Sequence, residues 1–131
     1  MGIEFFLPMM PPTTTQQTHR VSTKNGKPVF YSSPELKAAK AKLSDAVGRH
    51  KPVEPIPGAL RLVTKWCFPV LGKHTNGEYK ISRPDTDNLQ KLLKDVMTEN
   101  KFWFDDAQVA SEICEKFWAD IPGIYIQIQK L

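Results

Sequence analysis

Four aspartates in two short segments are the residues best suited to chemistry in this 131-residue chain. The first segment, "RPDTDNLQKLLKDVM" at residues 83–97, carries Asp85 and Asp87. The second, "FWFDDAQV", carries Asp105 and Asp106. Magnesium takes oxygen ligands and usually binds a few carboxylates. Three aspartates drawn from the two segments would therefore make a magnesium site, with Asp105 as an additional candidate ligand.

The spacing of Asp85 and Asp87 restricts how they can share a site. Apolar residues recur at i, i+3, i+4 and i+7, which predicts an amphipathic helix packed through Leu89, Leu92, Leu93 and Val96. Each helical residue turns by about 100°, so side chains two apart point in nearly opposite directions. The two aspartates can converge only if Asp85 lies on an extended approach after Pro84 and Asp87 lies in the first helical turn.

Lys91 stands four residues after Asp87, on the same helical face one turn later. Adjacent carboxylates such as Asp105 and Asp106 repel each other, so a tightly held pair favours a positive partner. A divalent cation would serve. With a phosphodiester as substrate, the metal would polarise the phosphate, and Lys91 would offset negative charge in the transition state.

Each of these features also has a purely structural explanation. An aspartate at a helix N-cap or in the first turn stabilises the helix without any ligand. An Asp–Lys pair four residues apart is an ordinary surface contact, and an Asp–Asp pair fits an exposed turn. The residues alone leave these alternatives open.

Charge is distributed unevenly along the chain. Residues 1–84 carry 13 Lys and Arg against 5 Asp and Glu, whereas residues 85–131 carry 5 against 9. A basic first part followed by an acidic segment is typical of a protein that binds a polyanion and reserves carboxylates for a cation, although an unevenly charged solvated surface is the alternative. The predicted DNA-phosphate contacts lie in polar loops: Lys24, Lys27, Lys73, Lys80 and Arg83.

The pattern of elements predicts one α/β (α+β) domain over residues 1–131, with two main helices and a small, partly antiparallel mixed sheet. The first helix follows Ser33 as N-cap and is expected to stop at Gly48. "KNGK" indicates a tight turn. The predicted strands are "IEFFL", "ALRLVTKWCFPV", "QVASEICEKFW" and "GIYIQIQKL".

Composition argues against several classes of protein. No apolar run approaches the roughly 18 residues of a membrane helix, and the N-terminus lacks a basic leader, so we expect no membrane partner and a cytoplasmic location. Cys67 and Cys114 are interpreted as buried free thiols, with a disulfide as the alternative. The three histidines have no spacing typical of a zinc site.

The order P-D-x-D-N-L-x-K followed by D-D-A-Q resembles that of the RusA-type Holliday junction resolvases, crossover junction endodeoxyribonucleases common in phages and prophages. Carried over by position, the resemblance implies that Asp85, Asp87 and Asp106 are the essential aspartates and that Lys91 is the catalytic lysine. It also implies a homodimer that nicks four-way DNA junctions in pairs using Mg²⁺ or Mn²⁺. A two-fold dimer suits such a junction, since it presents two identical sites to opposed strands.

Two other functions compete with a metal-dependent nuclease. One is a nucleotide-sugar transferase that uses D-x-D on manganese, although the chain is short for that fold and lacks a Gly-rich phosphate loop. The other is a non-catalytic phage protein that binds branched DNA. The aromatic residues are mostly expected in the core, with Phe102, Trp103 and Phe104 walling the acidic site. One exposed aromatic, not identified by the pattern, would wedge between bases at a junction centre.

Overall fold

The computed structural model describes residues 2–14, 20–24, 27–31 and 33–131, and for residues 20–24 and 27–31 it describes only the backbone. In chain order the helices and strands are β1 (Gly2–Leu7), β2 (Arg20–Lys24), β3 (Lys27–Tyr31), α1 (Pro34–Gly48), β4 (Leu60–Pro69), α2 (Thr86–Glu99), a short 3₁₀ helix (Asp106–Gln108), β5 (Val109–Ala119) and β6 (Gly123–Lys130). The four predicted strands and two predicted helices occur in the predicted order, whereas β2, β3 and the 3₁₀ helix were not predicted.

Four strands form one mixed sheet in the order β1-β6-β4-β5. β6 pairs antiparallel with both β1 and β4, whereas β4 and β5 are parallel. Parallel neighbours need a long crossover connection, and here α2 supplies it. The predicted mixed, partly antiparallel sheet with two main helices is confirmed. β2 and β3 form a separate antiparallel hairpin in which Lys24 pairs with Lys27; the tight turn that "KNGK" predicts falls on the two residues between them, which lie outside the described residues.

The core lies between the two helices and one face of the sheet. Alternate residues of β4 point into it, as the sequence pattern predicts: Leu60, Leu62, Thr64, Trp66 and Phe68 are all buried. The intervening residues of β4 point to the opposite face, which neither α1 nor α2 covers. Among the described residues, no helix is both long enough and apolar enough to cross a membrane.

Helix α1 begins as predicted, because the Ser33 hydroxyl accepts a hydrogen bond from the Leu36 amide at 3.1 Å. Its end differs from the prediction. Gly48 is the last helical residue, and the cap is Arg49 in a right-handed conformation, so no left-handed glycine stops the helix. Gly48 instead allows close packing against α2, since an added Cβ would lie 3.1 Å from Oδ1 of Asn100.

Helix α2 is anchored to the sheet by a buried polar contact as well as by its apolar face. The predicted apolar residues are all buried: Leu89, Leu92, Leu93 and Val96. Gln90 is buried with them and accepts a hydrogen bond from the Thr64 hydroxyl at 2.9 Å. That hydroxyl in turn accepts one from the Trp66 indole at 3.0 Å. The first turns of α2 are therefore fixed relative to β4.

Candidate active site

Asp85 and Asp87 occupy the positions that convergence requires. Asp85 is the N-cap of α2 with an extended backbone, φ −74° and ψ 149°, and Asp87 lies in the first helical turn. Both are exposed. The side chain of Asp85 makes no capping hydrogen bond, so the capping explanation does not account for its carboxylate. Its backbone carbonyl accepts the first helical bond, from Leu89 at 3.1 Å.

Two lysines hold the loop that leads to Asp85. The Lys80 ammonium donates to the Ser82 carbonyl at 3.3 Å, to the Ser82 hydroxyl at 2.8 Å and to the Arg83 carbonyl. Lys116, on β5, donates to the carbonyls of Ser82 and Pro84, both at 2.7 Å. Three consecutive carbonyls before Asp85 therefore accept hydrogen bonds from two cations, an arrangement we call the lysine seat.

Lys80 was predicted to be an exposed DNA contact, and its position corrects that expectation. The residue is only 9% exposed. Its ammonium lies over the rings of Phe68 and Trp118, at 4.9 and 5.0 Å from their centroids. Burial lowers the pKa of Lys80, and the positive charge of Lys116 lowers it further. Since an ammonium has three donors and the loop occupies them, Lys80 is not available to a DNA phosphate in this conformation.

The second acidic segment forms a corner held by Gln108. The Gln108 side-chain oxygen accepts from the amides of Phe104 and Asp105 at 2.7 and 3.0 Å. Its amide nitrogen donates to the carbonyls of Ile56 and Gly58 at 2.9 and 3.0 Å. This residue was not singled out from the sequence. A signal was present, since Asp105 and Gln108 have the N-cap and N3 spacing of a capping box.

The two aspartates of this corner are not equivalent. One carboxylate oxygen of Asp105 accepts a hydrogen bond from the Ala107 amide at 2.9 Å, which caps the 3₁₀ helix. Asp106 is the first residue of that helix and is half-buried. A structural role therefore accounts for Asp105, the additional candidate ligand, whereas capping leaves Asp106 unexplained.

Lys91 forms an ion pair within α2. Its ammonium pairs with Asp95 at 2.9 Å, one turn further along α2 rather than one turn back at Asp87. The hydrogen bond and charge of Asp95 raise the pKa of Lys91, and the charge of Asp106 raises it further. Both effects favour the charged form of Lys91.

The carboxylates do not form a complete metal site within the single chain. Across residues 2–14 and 33–131, where side chains are described, no three His, Cys, Asp or Glu residues lie close enough together to hold a metal ion. The donor chemistry of Asp85, Asp87 and Asp106 nevertheless suits a hard cation, because all three offer carboxylate oxygens.

The remaining predicted DNA contacts fall into two groups. Lys73 and Arg83 are exposed on the loop between β4 and α2. Lys24 and Lys27 face each other across the β2–β3 hairpin, but their side chains lie outside the described residues.

The three aromatics before the corner separate into two roles. Phe102 and Trp103 are fully buried, in agreement with a core position, whereas Phe104 is 68% exposed. The cysteines are free, as predicted, but both are only half-buried.

Comparison with known proteins identifies the family of the chain. Residues 9–129 match the family described as Endodeoxyribonuclease RusA. The chain is also 35% identical over 112 residues to a protein of Lactococcus phage r1t named "Crossover junction endodeoxyribonuclease rusA", covering 81% of this chain and 79% of the phage protein. The nucleotide-sugar transferase alternative is not compatible with this match. The chain belongs to the RusA family of endodeoxyribonucleases.

Proposed function

We propose that this protein resolves four-way DNA junctions by paired phosphodiester cuts that require Mg²⁺ or Mn²⁺, with Asp85, Asp87 and Asp106 as the metal ligands. Family membership carries the reaction class, since the phage relative is named a crossover junction endodeoxyribonuclease. The geometry at the start of α2 supports the ligand assignment, because it presents two exposed aspartates and the first does not cap its own helix.

The DNA substrate completes the metal site. Magnesium is commonly bound by one or two carboxylates together with substrate phosphates. The described side chains do not bring three ligands together without DNA, so we expect the ion to bind tightly only when a junction phosphate supplies further oxygens. When bound, the ion supplies a Lewis acid for the scissile phosphate.

Lys91 acts on the negative charge that develops during cleavage. It is 56% exposed at its side chain and lies within the field of Asp106, so its ammonium is accessible to a phosphate beside the acidic site. Asp95 holds it in a hydrogen-bonded position and favours the charged form. A fixed cation at this place stabilises charge in the transition state more than in the substrate.

Phe104 is the aromatic residue that we assign to the junction centre. It precedes Asp105 directly, is 68% exposed, and has its backbone amide held by Gln108 at 2.7 Å. Its neighbours Phe102 and Trp103 are buried, so the chain beneath it is fixed. An exposed ring on a fixed backbone beside the acidic site can stack on a base that the junction leaves unstacked.

Two copies are proposed to associate through the sheet face that the helices leave uncovered. On this face Val63 pairs with Ile113 and Cys67 with Phe117, with the charged pair of Lys65 and Glu115 between them, and Ile113 is 46% exposed. A two-fold axis requires a self-complementary surface. Lys65 and Glu115, paired on the same face, provide opposite charges for that purpose.

Replacing Ile113 by Asp should disrupt such a dimer, because it would bury a charge in an apolar interface. Sedimentation of the wild-type protein and Ile113→Asp checks this, with Glu54→Gln, an exposed change between α1 and β4, as control. A dimer that persists unchanged in Ile113→Asp would place the interface elsewhere. We expect the protein to act in the cytoplasm of a bacterial or phage-infected cell, where its DNA substrate is.

The cleavage assignment is tested on a labelled synthetic four-way junction with Mg²⁺ and with EDTA. Asp85→Asn and Asp87→Asn should each reduce the single-turnover cleavage rate by about 1000-fold or more, and Lys91→Met should follow them. Junction binding should stay intact or tighten in the aspartate variants, because less negative charge faces the phosphates.

Asp45→Asn, an exposed change on α1, serves as the control. Symmetric nicks that appear with EDTA, or full cleavage by either aspartate variant, would contradict the assignment. Binding without any cleavage by the wild-type protein would instead favour the non-catalytic alternative.

A further inference from the structure

The lysine seat is unusual because it places two cations together beneath a short loop. Lys80 and Lys116 share one acceptor, the Ser82 carbonyl, at 3.3 and 2.7 Å. Neighbouring like charges repel, and burial makes the ammonium of Lys80 costlier still. No aspartate or glutamate makes a direct ion pair with either lysine among the pairs observed in the described part of the chain.

The acceptors of the seat are all backbone or hydroxyl oxygens of Ser82, Arg83 and Pro84, the three residues that precede Asp85. The Pro84 carbonyl belongs to the peptide unit that ends at the Asp85 nitrogen. Its 2.7 Å bond to Lys116 therefore fixes the orientation of the peptide from which Asp85 departs. The other end of Asp85 is fixed by the first helical bond, to Leu89.

We propose that Lys80 and Lys116 are positioning residues for cleavage: they fix the direction in which Asp85 leaves the loop. This inference rests on the proposed role of Asp85 as a metal ligand. A displacement of about 1 Å at a catalytic group can lower a reaction rate by about 100-fold. Fixing the orientation of the peptide between Pro84 and Asp85 is therefore expected to affect the cleavage rate.

Lys116→Met is the first test, because it removes both of its hydrogen bonds while keeping a similar side-chain length. We expect the single-turnover cleavage rate at saturating junction and Mg²⁺ to fall by about 10- to 100-fold. The dissociation constant of the junction in EDTA should change by less than about threefold, since the ammonium faces the loop rather than solvent phosphate. Lys116→Arg, which keeps the charge and the donors, should restore most of the rate.

Lys94→Met is the matched control. Lys94 also bridges α2 and β5, through a 2.9 Å ion pair with Glu112, but it donates to no carbonyl of the loop before Asp85. Its removal should leave the cleavage rate within about twofold of wild type, as expected for a partly exposed ion pair.

Lys80→Met keeps the test decisive if Lys116→Met folds poorly. Lys80→Met loses three hydrogen bonds to Ser82 and Arg83 but also removes the desolvation cost of a buried ammonium, so we expect the fold to be retained, which the melting temperature checks. Cleavage should nevertheless fall by about tenfold. A stable Lys80→Met that cleaves like wild type would overturn the inference, as would a rate loss in Lys116→Met matched by an equal loss of binding. Assaying Asp85→Asn on the same junction separates failure of the positioning role from failure of the metal-ligand assignment. Full cleavage by Asp85→Asn would refute the assignment of Asp85 as a metal ligand.

Discussion

The loop that ends at Asp85 and the corner that carries Asp105 and Asp106 both present aspartates at the start of a helix, but different groups hold them in place. In the loop, two ammonium groups bind the backbone before Asp85. In the corner, one neutral amide, Gln108, binds the backbone before Asp106. The lysines and Gln108 all bind backbone groups in these contacts, so these hydrogen bonds do not use the carboxylates of Asp85 and Asp106.

The difference between the two regions lies in how many ligands each can offer. Asp85 stands at the N-cap position of α2 without a side-chain capping hydrogen bond, and Asp87 follows in the first turn. In the second pair Asp105 caps the 3₁₀ helix, which leaves Asp106 for another role. This difference is a physical reason to expect that the second aspartate of the pair, rather than the first, binds the metal, as the family resemblance implies.

Replacing Asp105 and Asp106 separately tests whether only the second of them binds the metal. Of the changes considered, this one should have the largest effect on the cleavage rate. Asp106→Asn removes a proposed metal ligand and should reduce the cleavage rate by about 1000-fold. Asp105→Asn should leave the rate within about threefold of wild type, because asparagine is as good an N-cap as aspartate. Single-turnover junction cleavage measures both. Similar losses in the two variants would show that Asp105 also binds the metal.

Removing the side chain of Gln108 should have an intermediate effect on cleavage. Gln108→Ala deletes four hydrogen bonds to backbone groups and should destabilise the protein by about 1–3 kcal/mol, because several amides and carbonyls lose their partners. Urea denaturation measures this loss, and cleavage should fall as the corner loosens.

Gln108→Glu is the sharper variant. The variant keeps a side-chain oxygen that can accept from the amides of Phe104 and Asp105. It replaces the amide nitrogen of Gln108 by a second oxygen, which would face the carbonyls of Ile56 and Gly58. Stability should therefore fall at neutral pH and recover as the new carboxyl is protonated. If Gln108→Glu is as stable as wild type at neutral pH, the contacts to Ile56 and Gly58 contribute little.

Replacing Arg83 or Phe104, the exposed side chains beside the two regions, should have the smallest effects on junction binding and cleavage. The two effects should differ in their dependence on salt. Arg83→Ala removes a proposed phosphate contact and should lower the slope of log affinity against log salt by about 0.9. Phe104→Ala should weaken binding or cleavage by about tenfold at every salt concentration, since stacking on one base contributes about 1–3 kcal/mol.

Phe104→Tyr, which keeps a ring, serves as the control for the second change. A salt slope that changes in Phe104→Ala but not in Arg83→Ala would reverse the assignment of the two side chains. Melting temperatures of all three variants should stay close to wild type, because both residues are exposed.

Local signals in the sequence determined the start of α2. The apolar spacing of residues 89–96 predicted the helix and its buried face, and the 100° step of a helix required an extended Asp85 outside it if the two aspartates are to converge. Both signals depend only on residues a few positions apart, so no tertiary information was needed. The capping box of Asp105 and Gln108 is equally local and was available to the same reasoning.

Tertiary packing alone decided the position of Lys80. The composition of its loop predicts exposure, since Gly72, "NG" and several charged residues surround it. Its ammonium is buried because β4 and β5 bring Phe68 and Trp118 beneath it, and because Lys116 arrives from a strand 36 residues later in the chain.

What the sequence by itself determined about this protein is therefore the family motif, the helix and the aspartates, all of which rest on short-range spacing. Only the fold decided what holds those aspartates: a pair of lysines in one region and a glutamine bound to Ile56 and Gly58 in the other. Burial and long-range hydrogen bonds depend on which strands become neighbours, and the local pattern carries no information about that.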